Sequence, residues 1–111
     1  MTVRERVLAY QRELRQDNLL PARAREILME IEGLIGIVMT ELREAEMAYN
    51  VVLLAHLDGS EAANRAKIRA QTTPAYARFR EAKDVSVFVT SLKSSLKAML
   101  RSLQEEMRLS A

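Results

Sequence analysis

Apolar residues recur along most of this chain at alternating steps of three and four, a spacing that gathers them on one face of an α-helix. Over residues 2–16, Val3, Val7, Tyr10 and Leu14 form a short stripe of this kind. Asp17-Asn18 then supplies turn chemistry, and Pro21 suits the first turn of a new helix, where its missing N–H has no bond to lose. Over 22–57 the stripe is Ala24, Leu28, Ile31, Ile35, Val38, Leu42, Ala45, Tyr49 and Val52, a coiled-coil seam sustained through a helix about 54 Å long. Asp58-Gly59 ends it, with Gly59 expected in the left-handed conformation that closes many helices. A short helical connector over 60–71 comes next, capped by Asp58 or Ser60, with Glu61 placed to complete a capping box with Asp58. Thr73 caps the last helix, 74–109, and Pro74 opens it. Its seam is Ala82, Val85, Val89, Leu92, Leu96, Met99 and Leu103. Val85, Val87 and Val89 favour a strand by propensity, but the seam runs through them in step, so a helix is expected.

Two long segments of matched length, each with one seam and joined by a short insert, imply an all-α fold: a long antiparallel helical hairpin of coiled-coil type in a single domain, with a short N-terminal helix and a short helical connector. Only three Gly and two Pro interrupt the 111 residues, which leaves long helices unbroken. One part of the second helix, Ile27 to Met39, is apolar nearly all round. A single partner helix covers one stripe, so the other side must meet the N-terminal helix or another copy of the chain. Met29, Gly33, Gly36, Ile37 and Thr40 are the candidate partner surface on that side. The glycines there permit close backbone approach; a local kink is the alternative. The thin core of such a hairpin favours a homo-oligomer.

Charge changes this picture because it is unevenly spread. Residues 22–58 carry three basic residues against seven acidic ones, a balance of −4, whereas 59–103 carry nine against three, a balance of +6. An acidic arm beside a basic arm favours pairing between them, and an excess of cations offers a surface for a polyanion. One basic cluster spans the connector and the start of the last helix: Arg65, Lys67, Arg69, Arg78 and Arg80, with Tyr76 and Phe79 interleaved. Cations neutralise phosphates, and aromatic faces stack on unpaired bases. Phe79 lies in the seam and is expected in the core. A second cluster is Lys93, Lys97 and Arg101 at i, i+4 and i+8, flanked by Ser91, Ser94, Ser95 and Ser102, groups that bind phosphate oxygens without reading sequence. The alternative for the first cluster is an exposed charged loop with Tyr76 and Phe79 packed beneath it, and for the second a solubilising face paired with the acidic second helix.

Catalytic constellations are hard to assemble. His56 is the one histidine and sits in a last helical turn, where it interacts with the helix dipole. Leu53 lies three residues before it, so the Glu-x-x-His signature of di-iron bundles is missing. The absence of cysteine excludes a disulfide framework and Cys-ligated zinc. The three glycines match no phosphate-cradling loop. No cofactor, metal or small-molecule substrate is therefore expected. The charge-free stretches Gly33–Thr40 and Met47–Leu57 fall short of the roughly 20 residues of a membrane span, and no apolar segment follows the charged N-terminus, which points to a cytoplasmic location without a membrane partner.

The stretch Gly59-Ser60-Glu61-Ala62-Ala63-Asn64-Arg65-Ala66-Lys67, then Tyr76, then Ser94-Ser95-Leu96-Lys97-Ala98-Met99-Leu100, resembles small helical proteins encoded by tailed bacteriophages and prophages. In those proteins a Gly-Asn-Arg-Lys-like connector joins two coiled-coil arms, often near replication and recombination genes. The resemblance spans roughly residues 40–105; the N-terminal helix and the Gly33–Gly36 segment have no counterpart in it. It implies a neighbourhood in DNA metabolism. Together with the basic clusters, it leads to the expectation of a non-enzymatic, oligomeric accessory protein. Such a protein binds nucleic acid, or a DNA-bound protein, through Arg65, Lys67, Arg69, Tyr76, Arg78, Arg80, Lys93, Lys97 and Arg101. The alternative is an adaptor, scaffold or inhibitor of a host protein that acts through the apolar side of the second helix.

Overall fold

In a computed structural model of the protein, residues 1–59 and 62–110 are described. They form four helices, α1 (Val3–Leu14), α2 (Pro21–Leu57), α3 (Ala63–Ala70) and α4 (Pro74–Ser110), with no strand among the described residues. The valine-rich segment 85–89 lies inside α4, as the continuous seam requires. Every seam residue of α2 and α4 is buried or half-buried.

Local chemistry sets the helix ends. At α1 the Thr2 hydroxyl accepts from the Glu5 N–H at 3.1 Å while the Glu5 carboxylate accepts from the Thr2 N–H at 3.5 Å. This reciprocal cap satisfies two donors that the helix itself leaves open. α2 begins at Pro21, with the Leu20 carbonyl accepting from the Ala24 N–H at 3.1 Å. α2 closes without a left-handed residue, because no glycine among the described residues has positive φ. The Gly59 N–H instead donates to the His56 carbonyl at 3.3 Å, tightening the last turn and satisfying a terminal carbonyl directly. The expected left-handed role of Gly59 is therefore not found.

α3 starts later than the connector pattern suggests. Its N-cap is Ala62, which offers no side-chain bond. Asp58 is still engaged as part of the preceding turn, its N–H donating to the Leu54 carbonyl at 3.0 Å, so it does not cap α3. Ser60 and Glu61, the other members of the expected cap, lie outside the described residues. At the α3–α4 junction the Thr73 hydroxyl donates to the Ala70 carbonyl at 2.6 Å and accepts from the Tyr76 N–H at 3.4 Å. One hydroxyl thus serves the end of α3 and the start of α4, with Pro74 at the first helical position as expected.

The chain forms two compact units, and α2 and α4 each contribute to both. The first comprises Met1–Ile37 and Val87–Ala111. Its core holds Val7 of α1, Ile27 and Ile31 of α2, and Val89 and Leu96 of α4, all fully buried. Ile27 and Leu34 stand beside the α2 seam and are buried as well, so the buried face of α2 is wider than the seam here. The Arg23 guanidinium grips the Glu13 carboxylate through two bonds of 2.6 and 3.0 Å, joining α2 to α1, and reaches Glu26 at 3.1 Å.

The second unit is Val38–Ser86, containing the rest of α2, all of α3 and the start of α4. Its core is built largely from small residues, with Ala45, Ala66, Ala70 and Ala82 buried beside Val38 and Tyr49. Small side chains of this kind permit close helix approach, and Tyr49 is the buried member of a cluster of three rings. The Tyr49 ring stacks on Phe79 with centroids 5.6 Å apart and is tilted against Tyr76 at 5.2 Å. Ser86 is buried, and its hydroxyl donates to the Lys83 carbonyl at 2.9 Å.

Truncating Ile31 to alanine removes a fully buried side chain and is expected to destabilise the protein by about 2–5 kcal/mol in urea unfolding. Met29→Ala, on the exposed side of the same helix, is expected to change stability by less than about 0.5 kcal/mol.

Candidate nucleic-acid interface

The inner face of α3 is Ala66 and Ala70, both buried. Its other positions turn outward, so Arg65, Lys67 and Arg69 are all exposed. Arg80 and Lys83, two and a half turns or less into α4, are exposed within the same unit. Arg65, Lys67 and Arg80 form no ion pair with any described residue, which leaves their charge available to solvent or a ligand.

The structure places Arg78 and Tyr76 differently. Arg78 meets the Glu41 carboxylate in a two-bond fork of 2.7 and 3.0 Å, with Glu44 at 3.8 Å. Fork geometry is the strongest arrangement an arginine and a carboxylate adopt. It holds the Glu41 carboxyl below its ordinary range and raises the guanidinium, the hydrogen bond being the main cause of both shifts. Tyr76 is half-buried against Tyr49, its ring engaged with a neighbour rather than standing open for a base. Phe79 packs on Tyr49, as its seam position predicts.

In the other unit Lys93 is half-buried, its ammonium 4.0 Å from Glu32. Lys97 and Arg101, one and two turns further along α4, are exposed and form no ion pair with any described residue. The pairing of acidic α2 with basic α4, anticipated from the uneven charge, thus engages Arg78 and Lys93. Its specific partners, Glu41, Glu44 and Glu32, were not distinguishable in the sequence from other acids of α2, because side-chain reach depends on helix phase and not on composition. The grip of Arg23 on Glu13 had no separate sequence signal either.

The second candidate surface lies on α2. Met29 is 72% exposed and Ile37 59%, and Gly33, Gly36 and Thr40 are exposed beside them. A Cβ added to Gly33 or Gly36 would meet nothing within 4 Å, so no other element among the described residues approaches the glycines closely. Gly33 and Ile37 border an open groove of about 660 Å³ between α1 and α2, lined also by Tyr10, Arg23, Glu30 and Leu34. Burial first, and then its hydrogen bond to Glu30, raise the Tyr10 phenol above its ordinary value. The Arg23 grip lowers the Glu13 carboxyl.

Among the described residues no three His, Asp or Glu side chains gather to hold a metal ion, and no helix is long and apolar enough to cross a membrane. No protein-family model, curated protein or solved structure matches the chain.

Glu13 and Glu41 both have lowered folded-state carboxyl values, so their contribution to stability is present above the unfolded glutamate value of about 4.3 and is lost as pH falls through the lower folded values. Thermal melts followed by circular dichroism are expected to change little with these groups from pH 7 to about 5 and to fall at more acidic pH. Glu41→Gln is expected to lower the melting temperature at pH 7 while flattening part of that acid dependence.

Proposed function

We propose that this protein is a non-enzymatic helical accessory factor that binds nucleic acid electrostatically. The carrying observation is that exposed Arg65, Lys67 and Arg80, with Lys97 and Arg101 in the other unit, remain without an acidic partner among the described residues even where α2 acids engage Arg78 and Lys93. Cations left over in this way are suited to phosphate oxygens, whose neutralisation releases counterions. Arg69 belongs to the same exposed face of α3.

In this reading Tyr76 and Arg78 act as supports. Tyr76 packs on Tyr49, and Arg78 ties α4 to α2, so that α3 and the first turns of α4 present their cations on a firm base. The proposed architecture is an antiparallel hairpin of α2 and α4. It is supported by Glu32, earlier on α2, meeting Lys93, later on α4, while Glu41 meets Arg78. Binding of this kind reads backbone charge rather than base sequence. It fits the DNA-metabolism setting implied by the resemblance to phage-encoded hairpin proteins, and a cytoplasmic site of action.

A second reading, an adaptor or inhibitor that engages a protein, is favoured by one specific feature: the exposed Met29 and Ile37 beside the open glycines of α2. Apolar side chains grouped on one helix face mark protein contacts more often than phosphate contacts.

Fluorescence anisotropy with labelled single-stranded and duplex DNA, across a salt series, separates the two. Affinity is expected to fall with salt, with a log–log slope of about −0.9 for each duplex phosphate neutralised. Replacing both Lys67 and Arg80 by alanine is expected to make that slope shallower by about two units. Absence of binding to either form at about 50 mM salt, or binding indifferent to salt, contradicts the electrostatic reading. Loss of function on Ile37→Glu with DNA binding intact supports the second.

A further inference from the structure

Directly opposite its buried face, the C-terminal part of α2 carries a second apolar stripe. Met47, Val51 and Leu54 are 62%, 69% and 58% exposed, at spacings of four and three. These positions fall within about 60° of one another on a helix, on the side away from Ala45 and Tyr49. Charged residues at such positions would cost nothing in folding, so a run of three large apolar side chains facing water needs a cause outside the fold. The same face holds one cation and one anion at its ends. Arg43 stands one turn before Met47, and Asp58 one turn after Leu54. Both are exposed, and neither forms an ion pair with any described residue. Glu44, beside Arg43, is turned towards Arg78.

This order of positive end, apolar middle and negative end is complementary to itself when reversed. We infer that the occupant of this face is a second copy of the chain, packed antiparallel about a two-fold axis passing near Asn50 and Val51. Reversal sets Met47 of one copy beside Val51 and Leu54 of its partner and brings Arg43 towards the partner's Asp58 at both ends of the contact. A parallel pair would instead align like charges, which disfavours it. A two-fold pairing repeats each contact, so a modest patch counts twice. The inference goes beyond the nucleic-acid reading and stands or falls without it. Dimerisation by α2 leaves the cations of α3 and α4 to bind phosphate or not.

The test uses the full chain and exploits its lack of cysteine. Asn50→Cys places a thiol near the axis, where it meets its own copy, and mild oxidation is expected to give a covalent dimer. Arg43→Cys places the two thiols about 22 Å apart in the antiparallel pair, and no cross-link is expected; in a parallel pair it would form as readily as at position 50. Sedimentation equilibrium is expected to show a dimer for the unmodified chain and a monomer for Val51→Glu, with unchanged helicity by circular dichroism, because Val51 is exposed in the single chain. Arg43→Asp and Asp58→Arg are each expected to weaken the dimer about tenfold or more, and the double variant to recover most of that loss. A monomeric unmodified chain, cross-linking at position 43, a dimer unaffected by Val51→Glu, or a double variant as weak as the singles overturns the inference. DNA-binding anisotropy on Val51→Glu keeps this failure distinct from failure of the nucleic-acid reading.

Discussion

Burial of a single apolar seam on each of two 37-residue helices is the constraint on which the rest of the structure depends. Each seam residue of α2 and α4 must leave water, and at steps of three and four only one helix phase achieves this. Once that phase is set, every other residue's position around the helix is set with it. Glu32, Glu41 and Glu44 then fall within reach of Lys93 and Arg78, and Met47, Val51 and Leu54 are carried to the opposite side of α2. The residues that the seam leaves outside are the ones on which the proposed function rests.

Two kinds of residue are left there. Cations in excess of the available acids occupy α3 and the solvent side of α4, and apolar side chains in excess of the available core occupy the outer side of α2. Neither surplus stabilises the single chain. Exposed cations repel one another weakly, and exposed methionine, valine and leucine gain nothing from packing. The partners proposed for the two surpluses differ chemically: a polyanion for one and an apolar helix face for the other.

The helical elements were legible in the sequence because their signal is periodic. The seams on α2 and α4, the restart at Thr73-Pro74 and the helical state of the valine-rich segment near Val85 all follow from spacing and cap chemistry. The T-x-x-E capping box at Thr2 and Glu5 was equally readable from residue types and spacing but lies outside the seam pattern. The end of α2 at Leu57 was legible from Asp58-Gly59, but the way it closes was not, because a glycine after a helix permits the left-handed closure without requiring it, and an i→i+3 bond to the His56 carbonyl serves instead. The start of α3 was obscured for a related reason: Asp58 has the chemistry of a cap but is still engaged in the previous turn. At the candidate interface, composition identified the basic arm but not which members of it meet acids. The fork between Arg78 and Glu41 and the contact of Tyr76 with Tyr49 join residues 37 and 27 positions apart, a relation that spacing within one helix does not encode.

We propose that the cations without an acidic partner, Arg65, Lys67 and Arg80 in one unit and Lys97 and Arg101 in the other, each bind phosphate. A titration of isotope-labelled protein with a short DNA duplex, followed residue by residue by NMR, tests it most directly. Amide shifts concentrated at Arg65, Lys67, Arg80 and the Lys97–Arg101 turns, with Met47–Leu54 undisturbed, are the predicted result. Shifts confined to the apolar side of α2, or none at all at low salt, would contradict it.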